Sequence, residues 1–271
     1  MIVWHPPWTR GSLFRSVWGN SPWGSELFSP ISLFANGEQG AWYDPSDLTT
    51  LYQDSAGTTP VAADGDPVGL MLDKSGNGNH ASQSVASARP IYRTDGALHW
   101  LEFDGVDDWL ETTSNTGISG DFSATGYAAY SSTYTGRNYP AIFSQNPGSN
   151  NQGLAITIYE NRPALDVWGR RVKKGLPGLD SNPHIAGFTK APGTLASGTT
   201  LRIDGSVSSS VVEGVDILPA LKNNTLSVGQ LDTQRRFIGI MYGVFLIDVV
   251  LNAQNLEMLE IYLAAKSGVA L

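Results

Sequence analysis

The chain has no cysteine among its 271 residues, and only 15% of them are charged. Without thiols there is no disulfide framework, thiolate zinc site or cysteine nucleophile. An average soluble domain carries about 25% charge, so this chain is poor in the residues that build coiled coils and helical bundles. Basic residues are the scarcer sign: 17 Lys and Arg stand against 25 Asp and Glu, for a net charge of −8. Duplex nucleic acid needs clustered Lys and Arg, so no nucleic-acid partner is expected. Long apolar runs are missing too. The longest, Ile238 to Leu251, is broken by Gly239, Gly243 and Asp248 and is too short to span a bilayer. The opening MIVWHPPWTR lacks a basic stretch ahead of an apolar one, so it does not read as a secretory signal. No membrane partner is expected.

What the chain does have is 30 Gly, 15 Pro and 8 Trp. Trp4, Trp8, Trp18 and Trp23 crowd into the start, among Pro6, Pro7, Pro22 and Pro30. Residues 1–40 show neither a period of 2 nor one of 3.6, and the prolines remove backbone donors. The many rings are wrong for a solvated tail. The expectation is an extended arm over 1–40 whose rings bury against the body of the protein or, the reading preferred, against another chain, with the four tryptophans as partner-binding anchors.

From Gly40 onward short apolar runs alternate with turn residues. Ala41 to Tyr43, Leu70 to Leu72, Leu98 to Thr113, Tyr127 to Tyr130, Ala141 to Ser144, Leu154 to Tyr159 and Ala164 to Trp168 all read as strands. Leu154 to Tyr159 and Ala164 to Trp168 pair through a turn at Glu160 to Pro163. His184 to Lys190, Leu226 to Val228 and Gly239 to Val250 continue the pattern. Asp204-Gly205 between Leu201–Ile203 and Ser206–Ser208 is a strong hairpin signal, because a type I′ turn needs positive φ at both positions. The fold class expected is all-β: a two-sheet antiparallel jelly-roll sandwich over 41–271. One helix stands at its end, over 253–267. Asn252 is its N-cap, Leu256, Leu259 and Leu263 form a stripe, and Gly268 follows the last turn.

The segments Asp73-Lys74-Ser75-Gly76-Asn77-Gly78-Asn79-His80 and Leu101-Glu102-Phe103-Asp104-Gly105-Val106-Asp107-Asp108-Trp109-Leu110 carry a resemblance. With His184–Lys190, Leu201–Gly205 and Gly239–Asp248 ahead of the terminal helix, their order resembles the concanavalin A-like lectin/glucanase superfamily. The likeness is to its laminin G-like, pentraxin-type members, over about residues 41–268. It implies the two-sheet jelly roll. The stretch Phe34 to Asp47 is similar to a segment of tailed-phage virion proteins, which implies a structural setting on a phage particle.

Several groups are candidates for chemistry. Glu102, Asp104 and Asp107 form E-x-D-x-x-D, with the first two on one strand face. Glucanases of the resembled superfamily use E-x-D-x-x-E, whereas here the last carboxylate is shorter and Asp104-Gly105 is a turn. Turn-capping is the reading preferred, so no catalytic residue is assigned. Asp73, Asn77 and Asn79 are a partial oxygen set for Ca²⁺, which takes six to eight ligands; the competing reading is an ordinary turn, and no other cofactor is expected. His5, His80, His99 and His184 lack metal-ligand spacing. Arg170 to Lys174 reads as a solvated basic loop or as a contact for an acidic partner surface or an anionic glycan, with Trp168 as a stacking platform. Trp168, Tyr134, Arg137 and Tyr139 are the carbohydrate-binding candidates, through stacking and hydrogen bonds.

These readings combine into one expectation: a non-enzymatic structural component of a tailed-phage virion, made in the host cytoplasm. Its arm would dock on other virion proteins, with a homotrimer among the assemblies open to it. The alternatives are a carbohydrate-binding module for host surface glycans and a glucanase-type hydrolase.

Overall fold

The computed structural model describes residues 28–145, 152–167, 171–174, 180–213 and 220–271, with the backbone alone at 171–174 and 213. Trp4, Trp8, Trp18, Trp23 and Trp168 therefore lie outside the described residues. Two antiparallel sheets face each other. The larger has ten strands. In spatial order they are β16 (Ser210–Glu213), β12 (Arg171–Lys174), β11 (Arg162–Asp166), β10 (Leu154–Tyr159), β9 (Ala141–Gln145), β17 (Thr225–Val228), β7 (Leu110–Asn115), β4 (Ala81–Ser82), β3 (Leu70–Met71) and β2 (Leu51–Tyr52). The second has eight. These are β15 (Ser206–Ser208), β14 (Thr199–Ile203), β13 (His184–Lys190), β8 (Ala124–Ser131), β18 (Ile238–Ile247), β6 (His99–Asp104) and β5 (Ile91–Thr94), with β1 (Gly40–Tyr43) also paired to β18. The all-β sandwich expected from the turn pattern is the fold observed.

Alternation decides which side chains meet between the sheets. Leu154, Ile156 and Ile158 of β10 point into the shared core with Phe143, Leu226, Val228, Phe103, Phe188 and Met241. In contrast β8 is buried at every position, and β18 from Met241 onward. The second sheet is covered on its outer face as well, so its central strands read as continuous apolar runs. Close packing there depends on small residues. A Cβ on Gly187 of β13 would sit 2.3 Å from the Tyr127 ring.

The cover is supplied by both ends of the described chain. The C-terminal helix, Ala253–Ser267, has the expected bounds: the Asn252 side chain accepts from Asn255 N, and Gly268 ends it at φ 75°. Leu256, Leu259 and Leu263 pack with Trp42, Tyr127, Ile185 and Phe245. Glu260, also buried, accepts from Arg202 Nε (2.7 Å) and Tyr127 Oη (2.9 Å) and so pins the helix to the sheet. From the other end, Pro30–Phe34 forms a short 3-10 turn. Leu33 and Phe34 are buried there, with the Phe34 ring 5.4 Å from that of Phe245. In the described part of the arm, residues 28–34 bury their rings on their own sandwich, the first of the two surfaces considered, while the four tryptophan anchors lie outside the described residues.

Two further expectations shift. The β10–β11 turn is only Glu160-Asn161, with φ 49° and 58°, and Pro163 belongs to β11. Strand β12 pairs with β11 over Ala164 to Asp166 alone, so the proline nitrogen has no ladder bond to supply. Arg171–Lys174 is not a loop; it is strand β12, paired on both sides. Among the described residues no helix is long and apolar enough to cross a membrane.

Candidate functional site at one pole of the sandwich

Antiparallel register places several connections at one pole. His184 opposite Tyr130 sets the start of β13 beside the end of β8. Ile238 opposite Asp104 sets the start of β18 beside the end of β6. The pole therefore collects the β6–β7 turn (104–109), the β8–β9 loop (132–140), the β10–β11 turn and the β17–β18 hairpin (229–237).

The β8–β9 loop is tied down on both flanks. Ser132 donates to Ile238 O (2.6 Å) and accepts from Tyr134 N (3.2 Å). The Tyr134 hydroxyl accepts from Asn138 N at 2.5 Å, and the Asn138 amide donates to Gln234 O at 3.3 Å. Glu160 N donates to Gly136 O at 2.9 Å, and Arg137 pairs with Glu160 at 2.6 Å. Tyr139 sits at φ 52°, a conformation that costs a bulky residue of order 1 kcal/mol or more. That backbone lays its ring on Tyr159, with centroids 4.5 Å apart and planes 9° from parallel. Both rings are half-buried. The expected group of Tyr134, Arg137 and Tyr139 is thus brought together. Tyr159, Glu160 and Arg162 complete it and were not anticipated, because they arrive from a different hairpin.

Beside this group the β17–β18 hairpin folds over the outward face of the larger sheet. Leu231 packs on Ala141 and Ala155. Arg236 lies over the Trp109 ring, 5.5 Å from its centroid, and donates to Gln230 Oε1. Burial pulls the guanidinium pKa down against the opposing charges of Asp107, Asp232 and Asp104, and its Nε is buried without a partner. A cross-strand row on the same sheet face runs through Glu111, Ser227, Ser144, Ala155 and Asp166, polar at every position but Ala155. Its two carboxylates are four strand spacings apart, or roughly 19 Å. That is well beyond the roughly 5–9.5 Å of a glycosidase pair.

The E-x-D-x-x-D residues are divided. Glu102 stands on β6 and pairs with Arg93 at 2.7 Å. Asp104 Oδ1 accepts from the amides of Val106, Asp107 and Asp108, and Asp108 Oδ2 accepts from Asp104 N. The turn-capping reading fits this geometry. One consequence was not visible in the sequence. Carboxylate oxygens of Asp104, Asp107 and Asp108 lie within 4.8 Å of one another. Burial first, and then the charges of Asp104, Asp107 and Glu102, push Asp108 up to about 6.

Asp73, Asn77 and Asn79 close a loop far from the pole. Asp73 Oδ1 accepts from Trp42 N and Ser75 N, and Oδ2 from Ser75 Oγ and Asn79 N. The amides of Asn77 and Asn79 both donate to Gly40 O. The carboxylate's acceptor positions are filled by the chain itself, which supports the turn reading over a calcium cage. The described histidines are each bonded. His80 accepts from Asp73 N, His99 meets Tyr92 Oη, and His184 lies between Asp204 (2.8 Å) and Asp180 (3.1 Å).

No family model and no curated protein matches the sequence. Solved structures do share the fold. An arabinofuranosidase complexed with arabinofuranosyl-alpha-1,2-xylobiose superposes with a TM-score of 0.64 at 13% identity, covering 89% of this chain and 65% of that one. A GH54 α-L-arabinofuranosidase soaked with a cyclic sulfate inhibitor gives 0.63 at 12% identity, over 89% of this chain and 66% of that one. Trypanosoma rangeli sialidase gives 0.51 at 10% identity, over 88% and 33%. The chain spans just under two thirds of the arabinofuranosidases and a third of the sialidase. What these likenesses show is the fold, a β-sandwich that this chain shares with those proteins. That finding overturns the expected structural component of a phage particle, and such neighbours lend no support to an expectation of a non-enzyme.

Proposed function

We propose that the protein is a carbohydrate-active β-sandwich that binds saccharide at the pole built from the β8–β9 loop, the β10–β11 turn and the β17–β18 hairpin. The observation that carries this reading is the stacked, half-buried Tyr139–Tyr159 pair bordered by Arg137, Glu160 and Asn138. Ring faces suit the C–H faces of sugars, and fixed amide, carboxylate and guanidinium groups suit their hydroxyls. Arg137 is paired with Glu160 and Arg235 with Asp232, and Arg236 is opposed by the charges of Asp107, Asp232 and Asp104, so the charges offset one another in place and favour neutral saccharides. The glycan-cleaving neighbours agree with a sugar ligand. The finer kinship to laminin G-like domains rests on the two sequence segments quoted for it. A glycan array read with the full chain tests the proposal. A saturable neutral glycan lost in Tyr159→Ala supports it; an unchanged profile in that variant counts against it.

One observation favours a second reading, glycoside hydrolysis. Asp108, held up to about 6, is suited to keep a proton, while Asp104 and Asp107 stand within 4.8 Å of it. A carboxyl that keeps its proton beside others is the kind of group glycosidases use as general acid. Release of nitrophenol from aryl glycosides, abolished in Asp108→Asn, is its expected signature.

A further inference from the structure

A second recess lies away from this pole, at the other end of β6. His99 begins that strand and Asp104 ends it, so the two are separated by roughly 17 Å of extended chain. Here Ala97, Leu98 and His99 face Ser46 on one side and Ala265 and Lys266, from the last turn of the C-terminal helix, on the other. The groove between them holds about 350 Å³, within the range of small-ligand sites.

Its polar lining is one-sided. The His99 ring lies beside that of Tyr92, with Nδ1 2.5 Å from the phenolic oxygen. Burial favours the protonated Tyr92 phenol, and where that hydroxyl donates to Nδ1 the histidine carries its proton on Nε2. Lys266 donates to Ser46 Oγ at 2.6 Å and meets Asp44 Oδ2 at 3.2 Å. An ammonium has three donors; beyond these two contacts it lies 5.2 Å from the centroid of the Tyr262 ring, a side that a ligand would share with that ring. Ser46 Oγ accepts from Lys266 and donates to Asp44 at 2.6 Å, which leaves it one lone pair and no donor. The backbone amides of Ala97 and Leu98 are likewise held, both by Asp95 Oδ1. The groove therefore presents two side-chain donors, one of them a cation, against the apolar surfaces of Ala97, Leu98 and Ala265.

We infer that this groove binds a small carboxylate-bearing molecule, of a size up to a uronic acid, with its carboxylate between Lys266 Nζ and His99 Nε2. The site is separate from the aromatic pole and does not depend on it.

Calorimetric titration of the full chain with glucuronate, glucose and lactate tests the inference. Glucuronate binds saturably and glucose does not. Lys266→Met, which keeps the aliphatic stem, and His99→Phe, which keeps the ring beside Tyr92, each weaken binding at least tenfold. Tyr159→Ala, at the opposite pole, leaves it unchanged. Melting curves of the variants establish that they are folded, and Lys266→Met alone suffices if His99→Phe unfolds. Glucuronate binding more tightly than lactate assigns an acidic sugar, and equal binding assigns a free carboxylate; either carries the inference. It is overturned if glucose binds as well as glucuronate, if none of the three binds, or if folded Lys266→Met retains full affinity.

Discussion

Single residues in this fold owe their ionisation to what surrounds them. Asp108 is buried and sits close to two other carboxyls, so its folded pKa, about 6, lies above the roughly 3.9 of an unfolded Asp. The raised value means that the ionised form weakens the fold above pH 6, and that this cost disappears as pH falls below about 4. Asp108→Asn keeps an oxygen for the Asp104 amide and removes the charge. It is expected to stabilise the protein at pH 7 by about 1–3 kcal/mol, with no difference near pH 4 in denaturant titrations. Two other groups act in the opposite sense. Burial alone would raise Asp44, but hydrogen bonds from Ser46 and Tyr262 and the ammoniums of Lys266 and Lys74 hold it below its usual range. Its contribution is present at neutral pH and lost as pH falls through the lowered value. The Asp204 hydrogen bond raises His184 despite burial, so its contribution is full below about 6.5 and is lost as pH rises through the raised value. Local residues of this kind were partly legible. Asp204-Gly205 and Asn252 announced their roles because turns and caps are set within a few residues. Glu260 did not, since its partners Tyr127 and Arg202 are 133 and 58 residues away.

At the scale of elements, the C-terminal helix is the clearest example of agreement between local signal and packing. Its cap, leucine stripe and terminal glycine are all in the sequence, and its bounds followed. Its attachment is what the sequence concealed. Glu260→Gln would leave Arg202 without its charged partner in a mostly buried position, and breaking such a pair costs about 3 kcal/mol. The expected result is a lowered melting temperature with the helix retained in far-ultraviolet dichroism. Strand β12 shows the opposite case. Arg171-Val172-Lys173-Lys174 has the composition of a solvated loop, and only pairing with β11 and β16 makes it a strand. Tertiary packing likewise decides where residues 28–34 go, a choice between own body and another chain that local sequence left open: they lie on the outer face of the second sheet, where Phe245 receives Phe34.

For the molecule as a whole, the sandwich was legible from turn spacing, and the site only in part. Tyr134, Arg137 and Tyr139 could be grouped because they share one loop. Tyr159, Glu160, Trp109 and Arg236 could not, because strand register alone carries them to the same pole. The resemblance to phage particle proteins led the functional expectation astray, since it rested on a short segment that the fold uses as β1 and its flanks. The architecture is shared with glycan-cleaving enzymes, and the aromatic pole is where this chain has rings and hydrogen-bonding groups fixed together. The most direct measurement is hydrogen exchange of the full chain with and without a saturating neutral oligosaccharide chosen from the array. The account predicts slowed exchange confined to residues 132–140, 159–162 and 229–237. Slowed exchange elsewhere with these segments unchanged, or no saccharide that alters exchange at all, would contradict it.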